Sequence, residues 1–499
     1  MRKLFFSLLL ITTGITVSAQ DKFSGQFKAI DKYMDSLIQQ WNIPGMAVGI
    51  VHRDKLIYKK GFGYRNMEKK LPVDAQTNFP IASNTKLFTA TLATMLAVEG
   101  KLDLDKPVKY YLPTLEFATD ELNAKVSIRD MLSHRTGIPG YDALWVGGTV
   151  PRDSMIARLK LIQPRYALRE GYIYNNVLYS TAGVVLEAVT GQSWEEQVRK
   201  KLFEPLQMNR SGFSDLDDRS ANFSLSYLEP DSAGRFIPRL STSQNEALGP
   251  AGTIFSNVED MSHWMIAQLN EGKYAGKQVI APAAIKETMI PHILSDRTGR
   301  WEELSHAIYC LGRSVMAYKG LRMWAHTGSI DGFYSQLTFI PGEELAIFVV
   351  GNSANSSYLR STMTYPIIDR LLNLEYTDWS SRAMREYLNA KNRQLQNRQR
   401  GNAPAAKKVP ADHPLTAYVG KYTHPLLGAV EVGYDKDKLT VEYRKIRADL
   451  HHDNYEQFIT RQGPGFSDFR LNFLTNAQGR VHAMMMGVYG ENGLFERVP

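Results

Sequence analysis

Hydrophobic residues recur at helical spacing near the start of the chain and at strand spacing soon afterwards. Between residues 23 and 41, apolar side chains return every three or four positions, which predicts a helix with one buried face. Residues 45–52 and 56–63 are apolar-rich runs on either side of a short polar turn, and this arrangement predicts an antiparallel hairpin. Residues 332–340 and 345–351 predict a second hairpin around Pro341-Gly342.

Between these hairpins the pattern is mainly helical. Residues 84–99 carry apolar side chains around the whole circumference of a helix, so this helix is expected inside a core. Strands at both ends of the region, with helices between them, favour an α+β fold: an antiparallel sheet with a helical insertion. A polar helix is predicted at 377–400. Short β-rich runs then alternate with turn residues up to the end, which predicts a small all-β meander or barrel.

A length of 499 residues favours two domains. We predict a first domain over residues 20–375, a basic helical and proline-containing linker over 376–411, and a β domain over 412–499. Residues 1–19 have the pattern of a cleaved signal peptide, with Arg2 and Lys3 before an apolar stretch and Ala19 before the cut. The alternative is a membrane anchor, but the apolar stretch from Leu4 to Val17 falls short of the roughly 20 residues that are needed to span a bilayer. The prediction is therefore a periplasmic or secreted protein without stable membrane insertion after signal cleavage.

The net charge of +8 is concentrated in one place. Residues 381–411 contain eight basic residues and one acidic residue, which leaves the rest of the chain close to neutral. We interpret this segment as a solvated basic helix or linker, with contact to a polyanion or a membrane surface as the alternative. No nucleic-acid partner is expected.

Cysteine and histidine give no sign of a disulfide or a metal. Cys310 is the only cysteine, so it is interpreted as a small buried side chain; as a nucleophile it would lack any supporting sequence context. The eleven histidines form no cluster with metal-ligand spacing, and the adjacent His451 and His452 would point to opposite faces of a strand. We expect no metal and no organic cofactor.

Ser83 is the first candidate for chemistry, because it stands three residues before Lys86 at the start of the apolar helix. This spacing places both side chains on one helix face, where the amine can reach the hydroxyl. Free backbone N–H groups at the helix start favour a developing oxyanion. Burial would lower the pKa of Lys86 towards the value that a general base needs.

Two further segments carry groups that complement this pair. Tyr174 can relay a proton, and the amide of Asn176 can hold Lys86 or a substrate carbonyl. The segment His326-Thr327-Gly328-Ser329 precedes the late hairpin, where an edge strand can lie along a substrate and the N–H of Ser329 can complete an oxyanion pair with that of Ser83.

The order Ser-x-x-Lys, Tyr-x-Asn and His-Thr-Gly resembles the superfamily of class C β-lactamases, penicillin-binding proteins and D-alanyl-D-alanine carboxypeptidases. Other stretches are similar to typical stretches of that family: Leu132-Ser133-His134-Arg135-Thr136-Gly137-Ile138-Pro139, Gly191-Gln192-Ser193, Phe203-Glu204-Pro205-Leu206 and Gly249-Pro250-Ala251-Gly252. The resemblance covers residues 25–372. The tail, as in residues 413–422, resembles the lipocalin-like domain that follows some of these hydrolases, where it is thought to influence assembly or access to the site.

The resemblance implies that Ser83 is the nucleophile of an acyl-enzyme, that Lys86 and Tyr174 are a coupled acid and base, and that Asn176, His326, Gly328 and Ser329 contact the substrate. Tyr141 is a candidate for lining an acyl pocket, with a packing role as the alternative. The substrate would be a small-molecule or peptide acyl compound, and a homo-oligomer is possible in this family.

The sequence departs from the family at His326, where β-lactamases usually carry a lysine that binds a substrate carboxylate. A histidine supplies positive charge only in part near neutral pH. We therefore expect an exported serine hydrolase acting on esters or peptide amides, with antibiotic hydrolysis as a weak side activity at most. Two alternatives stay open: an acyltransferase that passes the acyl group to a small alcohol or amine, and a penicillin-binding sensor that is acylated but does not turn over.

Overall fold

A computed structural model of the chain describes residues 23–147, 150–213, 222–230, 234–239, 247–296, 301–359, 363–401, 409–444, 446–460, 469–488 and 490–499. The predicted signal peptide lies outside the described residues, as do residues 402–408 of the predicted linker and parts of the stretch 215–247.

The first unit is built on a nine-stranded sheet in the order β3-β2-β1-β13-β12-β11-β10-β9-β8, with antiparallel neighbours throughout. Two short pairs, β4 with β5 and β6 with β7, lie outside this sheet. The strands are β1 Gly45–His52, β2 Lys55–Asn66, β3 Leu71–Pro72, β4 Phe79–Pro80, β5 Phe255–Ser256, β6 Lys273–Tyr274, β7 Lys277–Gln278, β8 Ile293–Leu294, β9 Ile308–Tyr309, β10 Ser314–Tyr318, β11 Leu321–Ile330, β12 Phe333–Ile340 and β13 Leu345–Gly351.

Helices cover both faces of the sheet, because the central strands are apolar on both sides. On β1, Val48 and Ile50 belong to one core cluster, whereas Ala47 and Val51 belong to the other, as expected from the alternation of side chains along a strand. The α-helices are α1 Ser24–Gln40, α2 Thr85–Val98, α3 Asp120–Lys125, α4 Ile128–Leu132, α5 Arg152–Ile156, α6 Asn176–Thr190, α7 Trp194–Val198, α8 Gly249–Gly252, α9 Val258–Leu269, α10 Pro282–Glu287, α11 Tyr365–Leu371 and α12 Trp379–Gly401.

The division of these helices follows their order in the chain. The terminal helices α1, α11 and α12 pack on one face, and α2 through α10 form the helical part on the other. Helix α2 is buried around nearly its whole circumference, from Thr85 to Leu96, as the apolar pattern predicts. The predicted α+β class, with an antiparallel sheet and a helical insertion, is therefore confirmed.

The last part of the chain is a closed antiparallel barrel, which confirms the predicted small β domain. Inward-facing residues alternate along its strands, as with Val430 and Val432 or Met484 and Met486. The strands are β14 Gly420–His424, β15 Gly428–Asp435, β16 Lys438–Tyr443, β17 Ile446–Asn454, β18 Gln457–Thr460, β19 Arg470–Thr475, β20 Val481–Val488 and β21 Glu491–Arg497.

The barrel packs against the helical part of the first unit. Ala143 is buried among the barrel's core residues, and Leu426 of the barrel is buried in the core of the first unit. Arg158 donates a hydrogen bond to the carbonyl oxygen of Leu426 at 3.0 Å, and Arg444 donates one to the carbonyl oxygen of Val146. Within the described part of the chain, no helix is both long and apolar enough to cross a bilayer.

Candidate active site

Ser83 lies in a short 3-10 turn, Ala82–Asn84, that runs directly into α2. Ala82 has a positive φ of 50°, a conformation that costs energy for any residue with a Cβ and that persists only where the surroundings enforce it. Ser83 is therefore placed at the start of the helix by a turn with a strained backbone. Such strain is common at functional sites.

Strands β11 and β12 hold this turn in place from the sheet side. Ser335 donates a hydrogen bond to the carbonyl oxygen of Ile81 at 2.7 Å and accepts one from the amide of Asn84 at 2.8 Å. A Cβ atom at Gly328 would lie 2.2 Å from the same Ile81 oxygen. Only glycine permits this close approach of β11, so the role of Gly328 is to let the sheet and the turn touch.

The amine of Lys86 is buried and lies one helical turn from Ser83. Its Nζ donates to the hydroxyl of Ser83 at 3.1 Å, to the side-chain oxygen of Asn176 at 2.7 Å and to the carbonyl oxygen of Ala251 at 2.7 Å. Burial lowers the pKa of Lys86 from 10.5 to about 7, and the charge of Asp142 opposes this shift. A neutral amine has two N–H donors; with these on Asn176 and Ala251, its lone pair remains for the Ser83 hydroxyl.

The phenol of Tyr174 also lies beside Ser83 and borders the same cavity. Burial raises its pKa well above 10, and a hydrogen bond with Ser83 partly offsets this. The centre of its ring is 4.8 Å from the Nζ of Lys86. Near neutral pH the site therefore holds a neutral phenol and an amine whose pKa is lowered to about 7, so that a proton donor and a proton acceptor lie beside the same hydroxyl.

Asn176 is fixed in turn by Asp142, a residue that the sequence did not suggest. The amide of Asn176 donates to Oδ1 of Asp142 at 2.9 Å, and the indole of Trp145 donates to the same oxygen at 2.9 Å. Because the side-chain oxygen of Asn176 accepts from Lys86, the four groups form one chain of hydrogen bonds from Trp145 to the amine.

His326 is buried in β11 and lies between two oxygens. Its Nδ1 is 2.7 Å from the carbonyl oxygen of Thr327, which can only accept, so Nδ1 carries the proton. Its Nε2 is 3.0 Å from the hydroxyl of Tyr309. Burial lowers the pKa of His326 to about 3, and the nearby Lys86 acts in the same direction. His326 is thus a neutral imidazole at physiological pH.

A cavity of about 480 Å³ opens beside Ser83 and is bordered by His326, Thr327 and Ser329. Aromatic rings make up much of its wall: Trp145, Tyr172, Tyr174, Tyr309 and Tyr365. Among the described residues that line this cavity, Asp142 is the one carboxylate and none is a lysine or an arginine.

The structure brings the predicted site residues together with two differences. Tyr141 is not among the residues that line the cavity; it packs against the core, which is the alternative that the sequence allowed. The strand predicted as an edge strand at 326–329 is β11, which lies between β10 and β12 in the order of the sheet. However, β10 pairs only with residues 321–325 of β11, so from His326 onward the side of β11 away from β12 has no strand partner within the described chain.

Three groups at the site were missed: Asp142, Tyr309 and the carbonyl oxygen of Ala251. Ala251 lies in the family-like stretch Gly249-Pro250-Ala251-Gly252, but nothing in the sequence indicates that its carbonyl oxygen accepts from Lys86 or that Asp142 accepts from Asn176. Tyr309 is adjacent to Cys310, which is buried with a pKa raised to about 12 by burial, as expected for an inert thiol.

Known proteins resemble this chain over both of its units. Residues 404–494 match a family described only as a domain of unknown function, DUF3471. The Unguisins hydrolase ungD of Aspergillus violaceofuscus is 26% identical over 80% of this chain and 75% of its own length. Protein flp of Staphylococcus aureus strain N315 is 25% identical over 66% of this chain and 64% of its own length.

Solved structures share the fold. The octameric penicillin-binding protein homologue from Pyrococcus abyssi superposes with a TM-score of 0.63 at 22% identity, over 94% of this chain and all of that one. A penicillin-binding protein from Bacillus halodurans has a TM-score of 0.55 at 21% identity, over 66% of this chain and 98% of that one. Residues 29–369, well over half of the sequence, match the Beta-lactamase family. The chain therefore belongs to the Beta-lactamase family, the serine hydrolases of the β-lactamase and penicillin-binding-protein type.

Proposed function

We propose that this protein is an exported serine hydrolase that cleaves esters or peptide amides through an acyl-enzyme on Ser83. The observation that carries the proposal is the buried amine of Lys86, 3.1 Å from the Ser83 oxygen, with a pKa lowered to about 7. An amine in that environment is a base at neutral pH, and the hydroxyl is within its reach.

In the proposed reaction the neutral amine of Lys86 takes the proton of Ser83 as the serine oxygen attacks the acyl carbonyl. The neutral phenol of Tyr174 gives a proton to the leaving oxygen or nitrogen, and the resulting phenolate takes up the proton that the nearby ammonium of Lys86 carries. The ester or amide bond breaks and an ester to Ser83 forms. Water then attacks this ester, its proton returns through the same groups, and the acid is released.

The remaining residues have supporting roles in this proposal. Asn176 holds the amine of Lys86, and the backbone N–H groups of Ser83 and Ser329 stabilise the oxyanion. His326 contacts the substrate, and Gly328 sets the distance between β11 and the serine turn. Export follows from the signal-like residues 1–19. A homo-oligomer is part of the proposal because the Pyrococcus abyssi homologue is octameric; light scattering of the purified chain tests it.

A fluorophosphonate probe followed by peptide mapping tests the nucleophile. We expect a single adduct on Ser83, no labelling of Ser83→Ala, and normal labelling of Ser154→Ala, a change at an exposed serine on α5. Labelling of Ser83→Ala at the level of the parent would refute the assignment.

The same preparation separates hydrolysis from its two alternatives. With a chromogenic ester, hydrolysis gives steady release and a free acid as the product. A single burst without further release would indicate an acylated sensor, and an acyl product that contains an added alcohol or amine would indicate an acyltransferase.

A further inference from the structure

We propose that His134 is a positioning residue for Tyr174 and thereby controls how well the site protonates a leaving group. The inference rests on the proposed function, because it concerns the acid step that the proposal assigns to Tyr174. His134 belongs to the family-like stretch 132–139, which no step of the proposed reaction uses. It is fully buried and does not line the cavity beside Ser83, so its effect on the reaction has to pass through another residue.

His134 holds the backbone on both sides of Tyr174. Its carbonyl oxygen accepts a hydrogen bond from the backbone N–H of Ile173 at 3.0 Å, and its Nδ1 accepts one from the backbone N–H of Asn175 at 3.2 Å. Tyr174 is the residue between these two donors. Because two hydrogen bonds to one residue bracket the Tyr174 backbone, the path of the chain at that point depends on the place of His134.

The ring of His134 also packs on the ring of Tyr174. The ring centres are 4.3 Å apart and the ring planes are tilted by 42°. The same phenol ring lies 4.8 Å from Nζ of Lys86, the group with which it exchanges a proton in the proposed reaction. Aromatic rings at this separation attract each other, so the contact with His134 opposes a rotation of the phenol away from Ser83.

A neutral imidazole suits this role because its Nδ1 has to accept a hydrogen bond. The backbone N–H of Asn175 can only donate, so in His134 the proton is on Nε2 and not on Nδ1. Burial keeps the pKa of His134 well below 6.5, and the charge of the nearby Lys86 acts in the same direction. The ring therefore remains an acceptor for Asn175 where Lys86 titrates, at a pKa of about 7.

Other contacts hold Asn176 independently of the His134 ring. Asn175 donates its side-chain amide to the carbonyl oxygens of Ile138 and Pro139, at 3.0 Å each. The side-chain oxygen of Asn175 caps the first turn of α6, where Asn176 lies. Loss of the His134 ring should therefore disturb the phenol more than the amide that holds the catalytic amine.

Two acetate esters with different leaving groups test the inference on the full-length protein. p-Nitrophenolate leaves readily without a proton, whereas phenolate is a poorer leaving group and gains more from a proton donor. The ratio of kcat/KM for p-nitrophenyl acetate to kcat/KM for phenyl acetate should therefore rise when the acid is removed or misplaced. We expect a rise of at least about tenfold in Tyr174→Phe and of at least about threefold in His134→Leu.

Matched variants assign the effect to the hydrogen bond with Asn175. His134→Asn has nearly the shape of His134→Leu but keeps an acceptor close to the place of Nδ1, and asparagine tolerates the backbone φ of 60° at this position. It should bring the ratio back towards the parental value. His263→Leu is the control, because His263 packs on Tyr274 with ring centres 4.9 Å apart and neither lines this cavity; the ratio should not change.

Two further measurements separate positioning from general damage to the fold. In the double variant of His134→Leu and Tyr174→Phe, the ratio should equal that of Tyr174→Phe, because His134 acts only through the phenol. The fluorophosphonate probe releases fluoride, which needs little protonation, so it should label Ser83 in His134→Leu at nearly the parental rate. If His134→Leu does not fold, His134→Gly, which suits the left-handed backbone, replaces it in each comparison.

The outcomes distinguish this inference from the proposed function. If Ser83 in the parent neither labels nor supports turnover, the proposed function fails. If Tyr174→Phe leaves the ratio unchanged, Tyr174 is not the acid, and that step and the inference fail together. If Tyr174→Phe raises the ratio but His134→Leu slows both esters equally, the inference fails while the function stands. A ratio in the double variant well above that of Tyr174→Phe also rejects it, because His134 would then act by another route.

Discussion

Replacing Asp142 with asparagine removes a carboxylate that acts on the amine of Lys86 while keeping an oxygen for both of its hydrogen bonds. Asn176 and Trp145 donate to Oδ1 of Asp142, and an asparagine oxygen can accept both bonds. The change therefore alters charge with little change of shape. Because Asp142 raises the pKa of Lys86, the pKa of Lys86 should fall in the variant.

The size of this shift follows from the chain of hydrogen bonds. Nζ of Lys86 is 2.7 Å from Asn176, and Asn176 is 2.9 Å from Asp142, so with the width of one amide the two charges lie within about 8 Å. At an effective dielectric constant of about 20, their attraction is about 2 kcal/mol, which corresponds to a fall of about 1.5 pKa units. The fall is expected from the value of about 7 in the parent.

The assay is the pH profile of kcat/KM with a neutral chromogenic ester. If deprotonated Lys86 is the base, activity in the parent rises as pH rises through about 7, and this acid limb should move to lower pH in Asp142→Asn. Asp153→Asn, which removes an exposed carboxylate on α5, should leave the limb in place. An acid limb that does not move in Asp142→Asn, or that moves to higher pH, refutes Lys86 as the titrating base.

Three further changes test other parts of the structure. The free energy of unfolding of the parent, relative to Lys86→Met, should rise between about pH 7 and pH 10, because the unfolded chain binds a proton on Lys86 in that range and the folded chain does not; chemical denaturation at several pH values measures it, and a flat difference contradicts it. Gly328→Ala should destabilise the fold by about 1–3 kcal/mol and lower kcat, since its Cβ would press on the Ile81 oxygen; a parental melting temperature and kcat would show that the turn is not clamped. Arg444→Ala should lower the free energy of unfolding by about 1 kcal/mol and make the segment around Val146 more sensitive to limited proteolysis. Proteolysis at the parental rate would show that this hydrogen bond does not hold the barrel in place.

The features that could be predicted from the sequence are mostly those that depend on local patterns. The pairing of Ser83 with Lys86 follows from the geometry of one helical turn, and the hairpin of β12 and β13 follows from alternation around Pro341. Both signals lie within a few residues, so no knowledge of the tertiary structure is needed to find them.

The missed features depend on contacts between distant segments. Ala251 contacts Lys86 because α8 packs against α2, and Asp142 acts on Lys86 through Asn176 at the start of α6; spacing within the sequence cannot show either relation. The interior position of β11 follows from its pairing with β10, Ser314–Tyr318, a strand that was not predicted from the sequence. Strand β17 was not predicted because it is largely polar, with Leu450 as its one fully buried side chain.

The hydrogen bonds of Ser335 determine at which stage of synthesis and folding the turn around Ser83 can be held in its final conformation. Ser335 is separated by about 250 residues of chain from the turn that it holds, between Ile81 and Asn84. The strained geometry of Ala82 lacks this support until β12 has been synthesised and has joined the sheet. A nascent or truncated chain that ends before β12 therefore lacks the two hydrogen bonds that hold the turn around Ser83, so the proposed nucleophile is fixed in its final position only when the sheet is complete.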